Sequence, residues 1–204
     1  MSAVTSSAMG SSVRAASGAL VHPGGHAQTL SLLGTDALLF YRFDATEHSR
    51  RRRAGMKALT GMGPLETLLT LPVDMPVPLD SLSAKDRAAV RRLPAGSADR
   101  DRHEITRHAV RPLHVDLAVV TAEQPRRGLE AATRFAPFCS RAVLLRRPAP
   151  RMDDFLNEAS FYGVGVLVDS SCGIEMVLEP RAYRPQRHTA AAWNFTEELY
   201  QRVR

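Results

Sequence analysis

The sequence predicts an α/β protein in which a mixed sheet is flanked by helices, with a small N-terminal helical or winged-helix-like subdomain. Three observations predict it. From Ser83 onward, helical and strand patterns follow in the order α-β-β-α-β-α-β-β-α, which places helices on the faces of a sheet. The strand segments are short apolar runs bounded by glycine, proline and polar turns. A length of 204 residues suits one domain of ordinary size plus a tail. Hydrophobic residues make up 44% of the chain. No stretch reaches the roughly 18 to 20 uncharged apolar residues of a bilayer span, so a transmembrane protein is excluded and no membrane partner is expected.

Residues 1–35 are rich in Ser, Ala and Gly, with Arg14 their only charged side chain. Such a composition buries little apolar surface, which predicts a flexible tail. One arginine and no continuous apolar core argue against a cleaved targeting peptide, and a cytoplasmic protein is expected. Residues 36–79 form a small N-terminal segment and connector. Ala37 to Tyr41 reads as a strand or buried helical turn, and Arg50 to Arg53 open a helix running to about Leu59. Gly61 and Gly63-Pro64 break that helix, and Leu65 to Leu71 add a short helical piece. Pro72, Pro76 and Pro78 then impose an extended connector.

Residues 80–204 are the expected α/β core domain. Ser83 caps a helix carrying Asp86 in its first turn and ended by Pro94 and Gly96. Ile105 to Val110 and His114 to Thr121 read as two antiparallel strands around Arg111-Pro112. Helices are predicted over Arg126 to Ala136, Met152 to Tyr162 and Ala191 to Val203. Strands are predicted over Arg141 to Arg146, Gly163 to Val168 and Ile174 to Leu178. Trp193, Phe195 and Tyr200 recur at helical spacing and are expected to pack inward.

The formal charge is +6, and 25 of the 27 basic residues are arginine. The charge is clustered. Arg50, Arg51, Arg52, Arg53 and Lys57 face only Glu47 between residues 46 and 60, and five arginines face Glu197 and Glu198 after residue 180. Cationic clusters release counterions from phosphate backbones, so nucleic acid is the expected partner. Arg50, Arg51, Arg52, Arg53, Arg87, Arg91 and Arg92 are its predicted contacts. The helix from Ser83, followed by a turn and two strands, also fits the end of a winged helix-turn-helix with Arg87, Arg91 and Arg92 on its outer side.

Other constellations carry little. His103 and His108 stand five apart, not the four that zinc-binding helices use, and read as solvated strand-flanking residues. Cys139 and Cys172 cannot build a disulfide framework or a four-thiolate zinc site. No cofactor is expected.

Val115 to Val120, Arg126 to Phe135, Ser140 to Leu145 and Gly163 to Val168 follow one another in a pattern that resembles the core of the restriction-endonuclease-like superfamily, the PD-(D/E)xK nucleases and their inactive relatives. In that family a strand carrying an acidic-x-Lys motif runs into a helix, then a strand, a helix and a glycine-flanked strand. The resemblance covers about residues 104 to 180 and implies a nuclease fold. The chain departs from it at the motif. The residues two before the only lysines, Lys57 and Lys85, are Gly55 and Ser83, so no acidic-x-Lys exists. The expectation is therefore a non-catalytic nuclease-fold protein that binds nucleic acid or regulates a nucleic-acid-processing partner. A structural or adaptor subunit, docking to a protein partner or to a second copy of itself, is one alternative. A divalent-metal-dependent nuclease using Asp116 with Glu104 or Glu123, and then magnesium, is the other.

Overall fold

The computed structural model describes residues 2–204. In chain order it forms α1 (Ser2–Ser17), β1 (His26–Leu32), β2 (Thr35–Phe43), α2 (Ala45–Arg53), α3 (Met62–Leu69) and β3 (Pro76–Pro78). These are followed by α4 (Ala84–Val90), β4 (Ala98–Arg100), β5 (Glu104–Arg107), β6 (Leu113–Ala122) and α5 (Pro125–Thr133). The chain continues with β7 (Ser140–Leu145), α6 (Met152–Tyr162), β8 (Gly165–Ser170), β9 (Gly173–Leu178) and α7 (Ala190–Val203). The fold is α/β with a mixed sheet flanked by helices. Two compact units share it, each assembled from separate stretches of chain.

The first unit joins the residues through Arg42 to Val115–Pro185. Its six-stranded sheet runs β1-β2-β6-β7-β8-β9, with β6, β7 and β8 parallel and β1 and β9 antiparallel to their neighbours. The β1–β2 hairpin turns on Leu33 and Gly34, both at positive φ, as a two-residue connection requires. Leu117 to Val120 and Ala142 to Leu145 are buried on both faces of the sheet, so these strands read as continuous apolar runs and not as alternations. One face packs Leu38, Phe40, Val119 and Leu144 against Val13 and Val21. On α5, Gly128 lets the helix approach β7, because a Cβ there would stand 2.6 Å from Val143 Cγ2.

The segment expected to be a flexible tail holds α1 and β1. Its mean composition is polar, but Met9, Val13, Ala16, Leu20 and Val21 fall on one cluster and cover the sheet. Arg14 stacks its guanidinium 5.3 Å from the Phe40 ring and donates to the carbonyls of His22 and Gly25. A few well-placed apolar groups on small-residue backbone therefore order a stretch whose average would not.

The second unit joins Phe43–His114 to Gln186–Arg204. It therefore divides the chain differently from the expected boundary at residue 80. A small antiparallel sheet runs β3-β5-β4. Strands β5 and β6, expected as one hairpin, belong to different sheets. The Arg111-Pro112 break marks a departure from one sheet rather than a turn within it. Helix α2 is likewise displaced. Asp44 Oδ1 accepts from the Glu47 amide at 2.8 Å and caps the helix, and the Arg50 to Arg53 block closes it, where cations meet the negative end of the dipole. Ser83 caps α4 as predicted, its hydroxyl accepting from the Asp86 amide.

The core of the second unit forms around Leu59, Leu65, Leu68, Ala190 and Trp193. Phe195 and Tyr200 are buried with it on α7, as their spacing predicts.

Candidate nucleic-acid interface

The arginine block of α2 splits by role. Arg51 is fully buried. Its Nε donates to Glu47 at 2.6 Å, its Nη1 and Nη2 to the two oxygens of Glu197 at 2.7 Å each, and Nη2 also to the Val110 carbonyl. Burial alone would push this guanidinium's pKa down. The bonds to Glu197 and Glu47 outweigh that and hold it above its ordinary value. Glu197 in turn accepts from the Leu59 amide and Trp193 Nε1, so the buried carboxylate is fully partnered. Arg51 thus belongs to the core and cannot contact nucleic acid, a correction to its predicted role. Arg50 is half-buried, binding Glu47 and the Gly96 carbonyl. Arg52 and Arg53 are exposed.

A depression of about 520 Å³ opens beside this block. Its wall carries Arg52, Lys57 and Arg204, with Arg51, His48 and Tyr200 behind them. Arg51 lies over the Tyr200 ring at 5.2 Å, and the Tyr200 hydroxyl meets His48 Nδ1 at 3.1 Å. Burial pushes the Tyr200 hydroxyl up, which keeps it protonated at neutral pH. Among the described residues, no acidic side chain lines this depression.

A second depression, of about 230 Å³, lies between α4 and the turn after β4. Arg87 and Arg91 come from the helix side, Arg100 from the end of β4 and Arg102 from the turn after it, with Asp101 the one acid among the lining residues. Arg87 is fixed by donating Nη1 to the Leu82 and Leu79 carbonyls. Arg92, from the same helix end, lines a separate groove with Lys85, Glu66 and Asp86. Arg100 and Arg102 are binding candidates that sequence reasoning missed. They sit in Asp99-Arg100-Asp101-Arg102, where alternating charge hides a cluster that only the fold separates.

The second unit has 16 Lys and Arg against 11 Asp and Glu, so five of the six surplus charges lie in it. Arg107 is one of its buried charges. It donates to the carbonyls of Leu68, Leu71 and Ala109 and lies over Trp193 at 4.7 Å, and its burial pushes its pKa down. His108, expected to be solvated, bridges Asp74 at 2.7 Å and Asp99 at 3.1 Å.

The acidic candidates do not gather. Asp116 accepts from the His22 amide and from Arg42 Nε. Glu123 follows the opposite end of β6, roughly 23 Å away at about 3.3 Å per residue. Glu104 belongs to the other unit and is exposed. Among the described residues, no group of three or more His, Cys, Asp or Glu is placed to share a metal ion. Also among them, no helix is long and apolar enough to cross a membrane.

Cys139 is buried, and burial pushes its thiol up to about 12, while Cys172 is exposed in the β8–β9 turn. No family model, curated protein or solved structure matches the chain.

Proposed function

We propose that this chain binds nucleic acid, as a non-catalytic protein with a restriction-endonuclease-like core, and that its second unit makes the contact. The observation that carries the reading is that five of the six surplus charges fall in that unit, which also holds two arginine-walled depressions. Arg52, Lys57, Arg91, Arg100 and Arg102 have no carboxylate within ion-pair distance among the described residues, so their charges are free to displace counterions from phosphates. Helix α4 followed by the β4–β5 hairpin supports a winged-helix-like contact, in which a helix faces a groove and a wing touches the backbone.

The run β6-α5-β7-α6-β8, with its three strands parallel and adjacent, supports the nuclease-like core. The engagement of Asp116 by His22 and Arg42 supports binding without chemistry.

Fluorescence anisotropy with a labelled duplex tests the proposal. Each phosphate contact contributes about 0.9 to the slope of log affinity against log salt. A slope of several units, reduced by about two in R52Q/K57Q, is the expected result. Weak binding at low salt, or binding that salt does not alter, overturns it.

A further inference from the structure

The depression between α4 and the β4–β5 turn has chemistry of its own. Four guanidiniums frame it, two from α4 and its C-cap and two from the end of β4 and the turn after it. Arg87 is half-buried and held by two backbone carbonyls through Nη1, leaving its Nε and Nη2 without a protein acceptor among the described residues.

The turn is equally fixed. Asp101 Oδ1 accepts from the amides of His103 at 2.7 Å and Glu104 at 2.8 Å, and these bonds hold its carboxyl below the usual carboxylate range. The Asp101 amide donates to the Glu104 carbonyl. Asp101 thus spends one oxygen on shaping the turn that presents Arg100 and Arg102, and the lining keeps a surplus of three positive charges.

Size selects the ligand. The depression holds about 230 Å³. That is below the roughly 300 to 1,000 Å³ of sites that enclose whole small molecules, but well above the ~30 Å³ share of one water. Guanidinium forks match the tetrahedral oxygens of phosphate in paired hydrogen bonds. Few apolar groups are present to receive a base, with only Leu79 and Val90 on the wall.

We propose that Arg87, Arg91, Arg100 and Arg102 form the seat of a single phosphate group. Where that phosphate is a backbone phosphodiester, the proposal rests on the nucleic-acid reading above. Where it is a free or terminal phosphate, the seat stands without that reading.

The test uses the full chain and the double variant R91Q/R102Q, with K85Q on the same helix as the control for loss of a nearby surface cation. The Arg91 and Arg102 side chains are exposed and make no hydrogen bond or ion pair among the described residues, so circular dichroism is expected to match across the three proteins. Inorganic phosphate is titrated at constant ionic strength with chloride as the replaced anion, and the melting midpoint is followed. Phosphate raises the midpoint of the parent and of K85Q, and the rise is lost in R91Q/R102Q. An equal rise in R91Q/R102Q, or no rise in the parent, overturns the seat.

A labelled duplex with and without a 5′-phosphate separates the sources. A salt slope lower by about one to two in R91Q/R102Q for both duplexes assigns the seat to the backbone. A difference confined to the phosphorylated duplex assigns it to a terminal phosphate. If phosphate raises the midpoint of the parent and of K85Q but not of R91Q/R102Q, and neither duplex binds, the seat holds and the nucleic-acid reading fails. If both duplexes bind with unchanged slopes in R91Q/R102Q and phosphate is inert, the seat fails and the nucleic-acid reading stands.

Discussion

Arg51 and Glu197, 146 residues apart in the chain, meet as a two-armed guanidinium–carboxylate pair at 2.7 Å on each arm, both side chains fully removed from water. Removing one partner of such a pair leaves an uncompensated buried charge. Glu197→Ala is expected to destabilise the second unit by about 3 to 5 kcal/mol. Urea unfolding followed by the fluorescence of Trp193, the single tryptophan, measures it. A change near zero would contradict the pairing.

Arg107 forms no ion pair with a carboxylate among the described residues. Its planar fork serves three carbonyls at the end of α3 and after β5 while lying over Trp193. Lysine carries the charge but not the fork, so Arg107→Lys leaves carbonyls unpaired at a cost on the order of 2 kcal/mol. The expected signature is a lowered urea midpoint together with a shifted Trp193 emission maximum in the native state.

The two thiols differ by burial. Cys172 is expected to react with a disulfide reagent at once, and Cys139 only when denaturant opens the first unit. The pH consequence has a definite sign. Cys139 has its folded pKa raised from 9.0 to about 12, so its contribution is fully present below pH 9. Above that the unfolded thiol ionises while the folded one keeps its proton, and stability falls as pH rises toward 12. Cys139→Ala removes that part of the alkaline decline, which unfolding curves at pH 8 and pH 10.5 detect.

At Gly128 a methyl group would stand 2.5 Å from Ala122 Cβ and 2.6 Å from Val143 Cγ2. Gly128→Ala forces α5 away from β7 and is expected to cost about 1 to 3 kcal/mol. A thermal midpoint equal to that of the parent would show that the helix has room to move.

Local signals were the legible ones. The helix Met152–Tyr162 follows from its period and from Gly163, which ends it at positive φ, and Ser83 caps α4 as its neighbours predict. What the sequence could not show depends on distant partners. Four consecutive arginines look uniformly solvated because Glu197, which buries one of them, is 146 residues away. Strands β5 and β6 both flank a proline and so look like one hairpin, and no local pattern says which strand each will join. Val13 and Val21 order the first segment through a sheet face supplied by residues beyond 37. Of the residues lining the two depressions, Arg52, Arg87 and Arg91 were legible as cations, and Arg100 and Arg102 were masked by Asp99 and Asp101 beside them.

The return of α7 to the second unit bears on the order of synthesis. The Glu47–Arg51 pair leaves the ribosome long before Glu197 does. At about 5 to 20 residues per second, the 146 residues between them take roughly 7 to 30 s to make. During that interval β6 to β9 join the earlier β1 and β2, so the six-stranded sheet has all its strands while Arg51 still lacks its second carboxylate. The unit that carries the basic surface is therefore the last to close, and nascent chains hold their most cationic region in an unfinished state until α7 arrives.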